Sequence, residues 1–308
     1  PRGFRPAQPE AAAVSGAPPP AAAAGTVALE VALNGPWGPR RPGAPLSVAA
    51  ITADGLACAA EGAAILHVHA WDPDAPRQTD AWETYARIIE GVRARSDALV
   101  YPTIPLSGAD PAAPPLTPAE RFAHVEALAA RGLIEWTVVD PGTVNFVEPD
   151  RPGFVYRNAP EEIRHGLALC AERGLRPSYA LYEPGFARAG ALLAAEADPA
   201  PKTPVYRAMF SEGFAWGFPP EARFLEAWLD LLDRVAPGAP WMAAGLAVDV
   251  LPLAPLVVAR GGMLRVGLED APFGDARSNL DWTRAARAAV EAAGGRLESA
   301  AEARARLG

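Results

Sequence analysis

The sequence predicts an α/β fold, a single (β/α)8 (TIM) barrel over residues 26–308, and three observations predict it. Short apolar runs alternate eight times with longer stretches of helical period. Glycines stop many of the helical stretches, at Gly132, Gly174, Gly238, Gly261 and Gly294. The alternating segment is also close to the ~250 residues usual for such a barrel. A doubly wound sheet gives a similar alternation, but eight regular repeats favour the barrel.

The elements follow in order. Residues 26–33 (TVALEVAL) read as strand one, and a Gly/Pro/Arg-rich loop leads to Ser47, a cap for a helix over 48–62. Strand two is 64–69. A helix over 80–95 has Asp80 as its expected cap and Trp82, Tyr85, Ile88, Ile89 and Val92 on one stripe. Strand three is 98–101. Thr117-Pro118-Ala119-Glu120 spells a capping box with proline at the first helical position. Strand four is 135–139, and the helix after it covers 158–173. Strands five to eight fall at 178–181, 205–210, 241–244 and 263–266. Their helices fall at 185–196, 219–235, 251–260 and 277–293, and a last short helix at 298–307.

Composition narrows the function. Half of the 308 residues are hydrophobic, which suffices for a large core. Lys and Arg number 28 against 36 Asp and Glu, a net charge of -8, which argues against nucleic acid or an anionic membrane as the main partner. Cys58 and Cys170 stand far apart in helical patterns, so no disulfide framework is expected; they read as buried small hydrophobes in a cytoplasmic protein. No apolar run is long enough to cross a bilayer. Residues 1–25 are Ala/Pro-rich without the apolar core of a secretory signal, and are expected to form a disordered tail.

The chemistry gathers at Ala63-Ala64-Ile65-Leu66-His67-Val68-His69, where a buried strand ends in two of the four histidines. Residues two apart on a strand share a side, so both imidazoles can reach one metal ion. Closing the barrel sets strand eight beside strand one, with strand two on its other side. The mouth formed by the C-terminal strand ends is where active sites of this fold lie. Glu269, just past strand eight, then completes a His2Glu set with open positions, the pattern of a catalytic zinc site; manganese or iron also accept such ligands. Thr103, Asp140 and Glu183 follow strands three, four and five and are candidate substrate contacts. Gly142, Thr143 and Asn145 also lie at the mouth. His124 and His165 lie within helices and read as surface or packing residues.

Five stretches resemble the β-keto acid cleavage enzymes. They are Val31-Ala32-Leu33-Asn34-Gly35, the segment from Gly62 to His69, Pro141-Gly142-Thr143-Val144-Asn145-Phe146, Tyr182-Glu183-Pro184-Gly185, and the segment from Gly261 to Asp270. The resemblance implies zinc held by His67, His69 and Glu269. It implies a β-keto acid that condenses with acetyl-CoA and is cleaved to acetoacetate and a new acyl-CoA. It makes Asp270 the base and Arg265 its orienting partner, puts Thr103 against substrate, and implies a homo-oligomer, a dimer or tetramer.

This chain departs from the family pattern in four places. Pro36-Trp37 stands where a Glu is common, Trp71 where an Arg is frequent, Asp140 where Asn is usual, and residues 211–220 (SEGFAWGFPP) lack the usual Gly-rich form. Aromatics in place of charge imply a more apolar or bulkier substrate. Two competing readings remain: a metal-dependent lyase or hydrolase without CoA, and a catalytically silent metal-binding relative.

Overall fold

A computed structural model describes residues 25–72, 74–75, 77–105 and 116–307. The tail expected over 1–25 lies outside the described residues, apart from Gly25. In chain order the strands are β1 (Thr26–Val27), β2 (Leu29–Ala32), β3 (Ile65–Val68), β4 (Leu99–Pro102), β5 (Trp136–Val138), β6 (Val144–Phe146), β7 (Phe154–Tyr156), β8 (Arg176–Leu181), β9 (Val205–Phe210), β10 (Trp241–Gly245), β11 (Met263–Val266) and β12 (Arg296–Leu297). The helices are α1 (Val48–Ala60), α2 (Trp82–Arg93), α3 (Pro118–Ala129), α4 (Pro160–Arg173), α5 (Pro184–Glu196), α6 (Ala222–Val235), α7 (Ala254–Arg260), α8 (Asn279–Ala292) and α9 (Ala300–Leu307).

Eight parallel strands form one sheet in the order β4-β3-β2-β11-β10-β9-β8-β5. Its two edges, β4 and β5, face each other: the rings of Tyr101 and Trp136 meet across the seam with centroids 5.9 Å apart. The sheet therefore curls into a nearly closed TIM barrel, as the alternation predicts. Outward residues such as Leu33 and Leu66 pack on α1, where Gly55 gives them room. Burial on both faces explains the near-continuous apolar strands.

Local signals act as expected in several places. The Thr117 hydroxyl accepts the Glu120 N–H, and the Glu120 carboxylate accepts the Thr117 N–H at 2.9 Å. Gly174 ends α4 in the left-handed conformation, φ 66°. The helix expected from Asp80 starts later: Ala81 is the flanking residue, and the Thr79 hydroxyl, not Asp80, accepts its N–H at 3.2 Å.

Two features depart from the expected plan. Strand one is broken at Ala28: β1 leaves the barrel to pair with β12, while β2 enters it. Between β5 and α4 the chain also forms an antiparallel hairpin, β6–β7, whose Phe146 and Phe154 stack at 5.0 Å.

Candidate active site

His67 lies in β3 and His69 just past its end, and both are buried. The neighbouring strand fixes His69. Asn34 Oδ1 accepts the His69 N–H at 3.0 Å, and Asn34 Nδ2 donates to the His69 carbonyl at 2.9 Å. The loop beyond His69 returns through a bridge between Trp71 and Gln78. Gln78 Oε1 there accepts the His69 Nδ1–H. That bond fixes the tautomer and leaves the Nε2 lone pair facing inward.

Glu269 arrives from the other side. β11 is followed by Gly267, whose φ of 134° and tight contact with Ala32 exclude a side chain: a Cβ would lie 2.2 Å from the Ala32 carbonyl oxygen. Gly35 makes the matching space, since a Cβ there would lie 2.4 Å from Glu269 Cγ. Trp37 Nε1–H donates to the Glu269 carbonyl at 2.8 Å. Held in this way, Glu269 stands 3.6 Å from His67 Nε2 and 3.5 Å from His69 Nε2.

Behind this trio runs a buried ionic network. Arg265 Nε and Nη2 donate to the two oxygens of Asp270 at 2.8 and 2.9 Å. Its Nη1 donates to Glu30 at 3.0 Å, and Nη2 lies 3.2 Å from Glu269. Tyr101 also donates to Glu30, at 2.7 Å. Burial pushes the Asp270 carboxyl up to about 6 against the opposing pull of Arg265. Burial would raise Glu269 too, but the Arg265 guanidinium beside it outweighs that and holds the carboxyl well below its usual range. Burial holds His67 well below the usual imidazole range, so it is neutral, as a metal ligand must be.

The trio opens into a cleft of ≈ 540 Å³, its open mouth included. Thr103 and Asp140 border it, as do Trp37, Arg207 and Arg265. Asp140 accepts the Tyr156 hydroxyl and the Ala180 N–H, each at 2.8 Å, and burial raises its carboxyl. Asp270 sits behind Arg265 and is not among the residues bordering the cleft. Glu183 is not among them either; its carboxylate accepts the Gly217 N–H at 3.4 Å. Thr143 is pinned to the backbone of Asn158, and Asn145 is exposed on the hairpin.

Of the two readings for His124, surface or packing, the structure shows packing. It is buried, stacks on Tyr85, and donates through Nε2 to the Thr103 carbonyl at 2.8 Å. Trp71 is buried away from the cleft, against Gly38, so only Trp37 of the two departing tryptophans shapes the pocket. Phe214 and Trp216, from the segment that lost its Gly-rich form, stack with centroids 5.9 Å apart; Phe214 also meets Trp37 at 5.3 Å. Gln78 and Arg207 carry no motif, and sequence reading passes over both.

The donor set fits a divalent cation. One ligand atom from each of His67, His69 and Glu269 lies within 4.8 Å of the others. His69 Nε2 is buried without a hydrogen-bond partner, although it faces Glu269. Glu30, Glu269 and Asp270 face the Arg265 guanidinium, and Asp140 faces that of Arg207.

Fold and site together define a TIM-barrel protein with a buried His2Glu centre able to bind a metal ion. The chain belongs to the beta-keto acid cleavage enzyme family, whose profile matches residues 26–308. It is 24% identical over 280 residues to the 3-dehydrocarnitine:acetyl-CoA trimethylamine transferase of Rhizobium meliloti (strain 1021), covering 85% of this chain and 89% of the relative. It is 27% identical over 264 residues to the 3,5-dioxohexanoate:acetyl-CoA acetone transferase of Paraburkholderia graminis, covering 81% and 84%. Among solved structures, the complex of ObcA with oxaloacetate superposes with a TM-score of 0.63 at 17% identity, over 86% of this chain and 67% of that one. That likeness concerns the fold.

Proposed function

We propose that this protein is a metal-dependent β-keto acid cleavage enzyme that uses acetyl-CoA and yields acetoacetate and a new acyl-CoA. The observation that carries the reading is the buried His67–His69–Glu269 cluster beside the Arg265–Asp270 pair, in a chain of this family. Zinc is the first choice for the cation, because two imidazoles and a carboxylate with open positions suit its catalytic form. When bound, the cation supplies positive charge where the β-keto acid gains negative charge.

The remaining work falls to the chain's own residues. Asp270 is the proposed base for the proton on the carbon between the two carbonyls; it lies behind Arg265, so it reaches that proton only as its pair with Arg265 opens toward the cleft. Both its oxygens are engaged by Arg265, so one of those bonds opens as the proton arrives. Arg265 then holds the protonated acid beside Glu269. Thr103 and Asp140 meet the substrate from the far wall, and Trp37, Phe146 and Tyr182 keep water from the reacting carbons. The enzyme is proposed to be cytoplasmic, from two cysteines that form no disulfide framework, and by family analogy a homo-oligomer, a dimer or tetramer.

The test is incubation of the zinc-loaded protein with acetyl-CoA and a panel of β-keto acids. The reading expects acetoacetate together with an acyl-CoA matching each substrate. Cleavage without CoA would make the protein a lyase or hydrolase instead, and metal binding without any turnover would make it a silent relative.

A further inference from the structure

Two arginines border the cleft, and they differ in what occupies them. Arg265 is engaged at all three nitrogens by Glu30, Glu269 and Asp270. Arg207 is also buried, 3% exposed, yet no hydrogen bond joins its side chain to a described residue, and its buried Nε has no partner. Its one ion pair among the described residues is loose: Nη2 lies 3.7 Å from Asp140 Oδ1. That oxygen is already taken by the Ala180 N–H, and the other Asp140 oxygen by the Tyr156 hydroxyl. Burying a guanidinium with donors unused is costly, and an anionic ligand would remove that cost.

Position narrows which anion. Arg207 lies in the middle of β9, and Met209, two residues nearer the mouth, borders the same wall. Phe146 and Phe154 come from the hairpin after β5, at the mouth, and Tyr182 follows β8. The floor is therefore cationic and the rim aromatic. At the rim, Phe146 and Phe154 offer a carboxylate no donor and Tyr182 offers one neutral hydroxyl, whereas the floor offers a charged, planar guanidinium fork.

We infer that Arg207 binds the carboxylate adjoining the keto group of the substrate, with the substrate's tail directed toward the aromatic rim. This rests on the proposed β-keto acid function, and it selects mono-acids with apolar tails over acids charged at both ends. Arg207 is then a substrate-binding residue on the wall formed by β9.

The experiment is calorimetric titration of the zinc-loaded protein with acetoacetate and with its neutral isostere acetoacetamide, for the wild type and for Arg207→Gln and Arg207→Lys at matched metal content. Arg207→Gln is expected to weaken acetoacetate binding about tenfold to a hundredfold, the range for a charged hydrogen bond, and to leave acetoacetamide unchanged. Arg207→Lys should restore part of the loss, because it keeps the charge without the fork. Unchanged acetoacetate binding in Arg207→Gln would overturn the assignment. So would steady-state kinetics in which Arg207→Gln harms 3-oxoadipate but not 3-oxohexanoate, because the anchor would then serve a distal acid. The titration does not depend on acetyl transfer, so failure of the proposed reaction is read separately.

Discussion

Gln78 accepts the Nδ1–H of His69, and the opposite nitrogen of the same ring faces Glu269 at 3.5 Å. A residue nine positions along the chain thereby sets which nitrogen of His69 is free to bind a cation. Replacing Gln78 with Leu should weaken zinc affinity about tenfold to a hundredfold, the usual cost of losing such a partner. Competition with a chromogenic chelator reads it directly. An unchanged affinity would mean that the ring is oriented by packing and by the Asn34 clamp alone.

Arg265 ties three carboxylates together in a space from which water is excluded. Arg265→Leu leaves Glu30, Glu269 and Asp270 without their common cation, and breaking a buried pair in this way costs about 3–5 kcal/mol. Urea unfolding should show a loss of that size. A loss below 1 kcal/mol would show that the acids simply take up protons, and the network would carry little of the stability.

Trp37 both walls the cleft and holds the Glu269 carbonyl. Trp37→Phe removes one hydrogen bond and should cost about 1 kcal/mol. Trp37→Ala should cost more, about 3 kcal/mol, and open the pocket beside Phe214 and Phe273. The expected kinetic result is a rise in the kcat/KM ratio for long-chain over short-chain β-keto acids. An unchanged ratio would remove Trp37 from the specificity of the site.

Cys58 and Cys170 are both buried and unpaired. Burial pushes the Cys58 thiol from 9.0 up to about 12, and raises Cys170 as well. The folded protein thus keeps these protons where the unfolded chain releases them. This contribution to stability is complete below about pH 9 and fades as pH rises toward 12. At pH 8 a thiol reagent such as DTNB should titrate neither cysteine until denaturant is added, after which both react. Prompt labelling of either in the native protein would contradict the burial.

Much of the fold was legible because its signals are local. The Thr117–Glu120 capping box, the glycine after α4 and the parity of His67 and His69 each follow from a few neighbouring residues. Glu269 was legible only because barrel closure brings β11 and β3 to either side of β2. What escaped depends on distant geometry. Gln78 sits in an irregular loop and acquires meaning from the Trp71 bridge. Arg207 looks like an interruption of the apolar run Val205–Phe210, although a charge inside a fully buried barrel strand is itself a signal. The β6–β7 hairpin consists of strands three residues long, too short for periodicity to register. The two tryptophans look alike in sequence, and only their surroundings show that Trp37 faces the cleft and Trp71 does not.

Metal analysis of the purified protein tests the central claim most directly. The account predicts one divalent ion per chain in the wild type, and its loss together with activity in His67→Ala and Glu269→Gln. A folded His67→Ala protein that keeps its full complement of metal would contradict it.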